Sequence, residues 1–189
     1  MFGEVGHSLR TFSLLKGQPV FETRSGTRIG EISDLCISGT GKVNGLLVKK
    51  GVFFKQTFFL DIQKVAAFGW DGVMVEDTKQ LQKLKKNPEY TFNHQHSIDG
   101  MLMLTKSGES LGLLKDVYFQ EEVGTIVGYE ITDGFFSEIT EGKQVIQSGK
   151  PLAIGKDAII VDVNENLPTG EPKEGEDRGI VEFMRSEFK

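Results

Sequence analysis

The chain states one phrase twice. RSGTRIGEISDLCIS at residues 24–38 and KSGESLGLLKDVYFQ at residues 106–120 align Gly26 with Gly108, Gly30 with Gly112 and Asp34 with Asp116. The match continues downstream. KVNGLLVKKG at 42–51 pairs with TIVGYEITDG at 125–134, setting Gly45 against Gly128, and GWDGVMVED at 69–77 faces GKDAIIVDV at 155–163. Equivalent positions stay 82 to 86 residues apart. Solenoid repeats run only ~20–50 residues, so a period this long reads as two tandem small domains.

Within each copy the apolar residues alternate, which is the period of a half-buried strand. Ile29, Ile32, Leu35 and Ile37 lie on one such stretch, with an irregularity expected near Asp34. Residues 43–49, 52–60 and 72–76 read as further strands, and the second copy repeats the plan at 112–120, 125–132, 143–147 and 158–163. Short strands with turn signals every ~8–12 residues indicate small antiparallel barrels or sandwiches. The fold expected is therefore all-β, two tandem small antiparallel barrels joined by a short helix. The first domain spans 11–86 and the second 96–164. The linking helix is read from Leu81 and Leu84 on one face with lysines around them, ended by Asn87-Pro88. Residues 165–189, rich in Glu, Gly and Pro, read as a largely disordered acidic tail whose segment 180–188 is apolar enough to dock.

Charge narrows the function. The net charge is −5, whereas binding a phosphate backbone calls for clustered Lys and Arg. The local exception is the run containing Lys79, Lys83, Lys85 and Lys86. The single cysteine, Cys36, forms no internal disulfide and sits in an alternating apolar stretch, as expected for an inert buried thiol in a reducing compartment. No stretch approaches the ~18–20 apolar residues of a membrane helix, and the N-terminus lacks the pattern of a signal peptide. The expected location is the cytoplasm, with no membrane partner.

The repeated glycines are read as fold-defining. Gly26 and Gly108 suit tight turns that need positive φ. Gly30, Gly112, Gly45 and Gly128 lie inside strand patterns, where glycine marks a bulge or a close backbone approach. A phosphate-cradling loop fits poorly, since GTRIG and GESLG match neither glycine-rich fingerprint and no helix follows. Asp34 and Asp116 read as caps of a turn or bulge, or as solvent-facing acids. A shared ligand site would need a second titratable group beside each, and neither copy offers one in sequence. His94 and His96 are two apart, with Asp99 as the nearest acid and His7 far away; a polar linker is the reading, with a metal pair as the alternative. No catalytic residues, cofactor or metal site are expected.

The copies differ most in their aromatics. Phe53, Phe54, Phe58 and Phe59 fall within seven residues, and strict alternation cannot bury all four on one face of a strand. The second copy keeps Phe135 and Phe136 and then turns polar. These six phenylalanines form the candidate interaction surface.

The ordered set of pieces resembles the PRC-barrel family. GQPVFETRSGTRIGEISDLCIS, KVNGLLVKKG and DGVMVED occur in that family's order, and GMLMLTKSGESLGLLKDVYFQ, TIVGYEITDG and DAIIVDV repeat it. The whole resembles the tandem PRC-barrel proteins of Bacillus-type bacteria. The resemblance implies a small barrel of about six strands that serves as an assembly or protein-binding module. It is found in the H subunit of the photosynthetic reaction centre and as the C-terminal domain of the ribosome-maturation factor RimM. The expected function is thus a non-catalytic interaction module with a protein partner and a possible link to sporulation. A ribosome- or RNA-associated role is the first alternative, though the net charge does not support it. A small-ligand or metal-binding protein is the second.

Overall fold

The computed structural model describes residues 9–51, 56–84, 87–132, 144–147, 151 and 153–162. Among them the chain forms two curled β-sheets with matching topology. The first runs β2 (Pro19–Glu22), β3 (Arg28–Ile37), β4 (Val43–Lys50), β5 (Gln56–Asp61), β6 (Val65–Phe68), β7 (Val73–Val75) and β8 (Leu81–Lys83), ordered β6-β7-β2-β3-β4-β5-β8. The second contains β10 (Leu102–Thr105), β11 (Ser110–Gln120), β12 (Ile126–Thr132), β13 (Gln144–Gln147), β14 (Ala153–Ile154) and β15 (Ala158–Val161), ordered β13-β12-β11-β10-β15-β14. In each, an antiparallel meander is followed by a hairpin whose second strand returns parallel to the first meander strand: β7 on β2, and β15 on β10.

The long strands β3 and β11 bend the sheets. Each carries two register shifts, after Ile32 and Cys36 in β3 and after Leu114 and Tyr118 in β11. Such bulges add an unpaired residue and increase local twist, which lets a short sheet curl on itself. The irregularity expected near Asp34 is the first of these. Gly26 and Gly108 turn with φ of +65° and +91°. At Gly30 an added Cβ would lie 2.6 Å from a Val48 methyl and 2.8 Å from the Lys49 carbonyl oxygen.

The linking helix is replaced by other structure. A single 3₁₀ turn, Thr78–Gln80, leads directly into β8, where Leu81 pairs with Leu60 and packs against the core. The two-leucine spacing fits a helical face, but the open edge of β5 offers backbone hydrogen bonds and a place for Leu81. Lys85 and Lys86 lie outside the described residues, as does the tail 165–189.

Two short strands break the tandem plan. β1 (Leu9–Thr11) precedes the first sheet in sequence yet pairs with β11 of the second. β9 (Tyr90–Thr91) precedes the second sheet yet pairs with β3 of the first. Each unit therefore lends its entering strand to the other. A one-turn helix, α1 (Phe12–Leu15), follows β1 and is capped by the Thr11 hydroxyl. The buried apolar residues of both sheets merge into one cluster, in which Phe12 and Phe92 meet in a tilted pair with ring centroids 4.8 Å apart.

Candidate functional site

The repeated acids lie where the strands are exchanged. Asp34 is fully buried. Its Oδ1 accepts from the amide of Leu35 at 2.8 Å, within its own bulge, and from Phe92 and Asn93 of the other unit's entering segment, both at 3.0 Å. Asp116 does the same in reverse. It accepts from Val117 at 2.8 Å, from Phe12 at 2.9 Å and from Ser13 at 3.1 Å. Each acid thus closes its own bulge and holds the backbone that enters the opposite barrel. Buried amide donors left unpaired cost about 1–3 kcal/mol each, so these acids are structural clamps.

The clamp residues follow a second, shorter repeat. Thr11-Phe12-Ser13 and Thr91-Phe92-Asn93 carry the same pattern 80 residues apart. The Thr11 hydroxyl accepts from the Leu14 amide, and the Thr91 hydroxyl accepts from the His94 amide at 3.0 Å. The first triplet opens the expected first domain, 11–86, whereas the second lies before the expected start of the second domain at 96. Neither acid faces solvent. Burial pushes the Asp116 carboxyl above the ordinary carboxylate value, against the pull of the Ser13 hydroxyl and the backbone amides.

Other groups tie the units together. Arg10, on β1, forms an ion pair with Glu121, donates to the Phe68 carbonyl at 2.6 Å, and lies 5.2 Å from the centre of the Trp70 ring. The turns at the ends of the long hairpins touch through the Lys42–Thr125 bridge and the Val43 amide on the Gly124 carbonyl. The Tyr90 hydroxyl donates to Ile154 at 2.7 Å.

The two clamps differ at one position. Asp34 Oδ2 also receives His94 Nδ1 at 2.5 Å, whereas the residue equivalent to His94 is Leu14. Both Asp34 oxygens face N–H groups, so the imidazole joins as a donor through Nδ1 and its Nε2 is left for other partners. His94 is 46% exposed and lines a 220 Å³ cleft with Lys49, Thr57 and Gln95. This is the second titratable group that sequence spacing did not place beside Asp34. His96 takes a different direction, its Nδ1 against the Glu89 carbonyl at 3.0 Å. Among the described residues no group of three or more His, Cys, Asp or Glu side chains could hold a metal ion.

The remaining candidates are spread out. Phe58 shares the face of Leu60 on β5, and Phe59 takes the opposite face, over Gly45. A Cβ on Gly45 would collide with the Phe59 ring and lie 2.6 Å from the Leu60 carbonyl oxygen. At Gly128 the nearest atom would be 3.4 Å away, so the two glycines meet different surroundings. Gly112 has φ of +128° and presses on the Thr132 carbonyl. Phe53, Phe54, Phe135 and Phe136 lie outside the described residues. Cys36 is buried; desolvation, then the charge of Asp34, pushes its thiol up to about 12. No helix among the described residues is long and apolar enough to cross a membrane.

A four-strand meander closed by a parallel return, written twice and cross-clamped at its bulges, defines a duplicated small β-barrel protein. The chain belongs to the PRC-barrel family, whose domain model matches residues 9–82 and 91–187. The first match begins with β1 and the second at Thr91, the last residue of β9. A protein of Bacillus subtilis (strain 168) described as "Uncharacterized protein YrrD" is 32% identical over 160 residues, covering 83% of this chain and 90% of that relative.

Proposed function

We propose that the chain is a non-catalytic interaction or assembly module of the cytoplasm, in which two PRC-barrels act as one rigid platform for a protein partner. The observation that carries this reading is the reciprocal clamp. Both repeated acids are committed to backbone amides of the opposite unit, which fixes the relation between the barrels and so the shape offered to a partner. Outward apolar residues give such a partner something to bury: Leu102 and Leu113 face each other across β10 and β11 and are 37% and 38% exposed. Trp70, at the tip of the β6–β7 hairpin, is 53% exposed. Aromatic and apolar anchors of this kind dominate protein interfaces. Phe59, on the face of β5 opposite Leu60, extends the candidate surface. The test is affinity purification of the tagged chain from growing and sporulating cells, with quantitative mass spectrometry. A partner recovered by wild type and depleted by Leu113→Ser or Trp70→Ser supports the reading. A partner set identical to that of an unrelated tagged protein refutes it.

A further inference from the structure

The clamp that carries His94 also borders a cleft. The cleft beside it is bounded by the outer face of β3, β4 and β5, by Leu84 and by residues within 87–95. Lys49, Thr57, Asn87, His94 and Gln95 supply its polar lining, and Leu47 and Leu84 its apolar part. The register explains the convergence, because Lys49 pairs directly with Thr57, which puts both side chains on one face of the sheet. No carboxylate is among the residues lining this cleft; Asp34 is buried beneath His94 with both oxygens occupied. Lys49 also lines a neighbouring groove of 430 Å³ with Arg28, Glu31 and Lys50. Cleft and groove meet at Lys49 and together present Lys49, Lys50 and His94, with Arg28 paired to Glu31 at 3.4 Å beside them, in a chain whose net charge is −5.

We infer that this trough binds an acidic peptide segment of a protein partner, with Lys49 and His94 as the arms that receive its carboxylates. The inference rests on the interaction reading above and names the chemistry of the partner. Asp34 holds the imidazole by Nδ1, so its orientation is set before any ligand arrives. Such pre-organisation removes part of the ordering cost of binding. A carboxylate between Nε2 and the Lys49 ammonium would receive charge-assisted hydrogen bonds from both when the imidazole is protonated. Peptide is favoured over nucleic acid because tracking a phosphate backbone calls for a longer run of cations than the described residues place here. The second unit has Leu14 in place of His94 and Thr132 in place of Lys49, so among the described residues it does not repeat the two arms.

The experiment is fluorescence anisotropy of the full-length chain with a fluorescein-labelled glutamate hexamer. A glutamine hexamer and a uridine hexamer serve as competing probes, at low salt and again near 0.15 M, where the Debye length is about 8 Å. The expected result is saturable one-to-one binding of the glutamate hexamer that Lys49→Glu weakens at least about tenfold and His94→Gln measurably less. Lys106→Glu makes the same change of net charge on the other unit, where Lys106 pairs with Asp162 at 3.2 Å, and should leave binding within about twofold. Far-UV circular dichroism confirms that each variant is folded. Absence of saturable binding overturns the inference, as does equal weakening by Lys49→Glu and Lys106→Glu, two-to-one stoichiometry, or tighter binding of the uridine hexamer. If Lys49→Glu still recovers the wild-type partner in the purification, the trough is not the docking site and the interaction reading stands. If wild type recovers none, that reading falls on its own.

Discussion

Replacing Asp116 with Ala should unsettle the unit that does not contain it. Truncation leaves the amides of Phe12, Ser13 and Val117 without their acceptor. At about 1–3 kcal/mol for each of the two buried donors, Phe12 and Val117, and less for the part-buried amide of Ser13, the loss is about 3–7 kcal/mol. Removing a carboxylate whose burial is itself unfavourable returns part of this, which leaves a net loss of about 3–5 kcal/mol against the ~5–15 kcal/mol of a typical domain. With a urea m-value of about 2–3 kcal/mol/M, the unfolding midpoint should fall by about 1–2 M. Trp70 is the chain's only tryptophan and reports on the first sheet, where it rests against Arg10 of the exchanged strand. Urea unfolding followed by Trp70 fluorescence and by far-UV circular dichroism should therefore show both transitions moving together. A Trp70 transition that stays at the wild-type midpoint while the dichroism shifts would refute the coupling. So would a fall in both of less than about 0.3 M, which is smaller than one lost hydrogen bond should produce.

Three further outcomes follow from the same geometry. Because the folded-state value of Asp116 lies above the unfolded 3.8, its protonation favours folding below that value. The contribution is lost as pH rises through the folded value, so the stability of wild type relative to Asp116→Asn should decline across that window in urea titrations between pH 3 and 7. Gly45→Ala should cost about 1–3 kcal/mol, because Phe59 and the Leu60 carbonyl fill the space of the new methyl group. Gly128→Ala, with its nearest atom at 3.4 Å, should cost less than about 1 kcal/mol; urea unfolding of the two variants beside wild type measures both. Cys36, buried and pushed up to about 12, should resist iodoacetamide at pH 8 in the folded protein and react fully in urea, as read by intact mass.

The barrels were legible because their signals are local. Alternation in Arg28–Ile37, glycines at turns and the repeated acid each need only a few neighbouring residues. The strand exchange was not legible, because the Thr-Phe-Ser and Thr-Phe-Asn triplets are too short to stand out. Their partners, Asp116 and Asp34, are more than 50 residues away, at 103 and 59 positions from Ser13 and Asn93. Asp34 was recognised as a repeated acid with a capping role, but the backbone it caps belongs to the other copy. His94 looked like part of a linker for the same reason. Leu81 and Leu84 suggested a helix because spacing alone cannot see the open edge of β5. The opposite faces taken by Phe58 and Phe59 agree with the alternation that prevented the cluster from sharing one side.

The exchanged entering strands also bear on how such a duplicated gene can change. In an ordinary tandem repeat each copy accumulates substitutions against its own background, and either copy can decay while the other is kept. Here the quality of the first barrel's bulge is written at Phe92 and Asn93, and that of the second at Phe12 and Ser13. A substitution at these positions in one copy changes the fit of its sibling, so the two halves share constraints that separate domains would not.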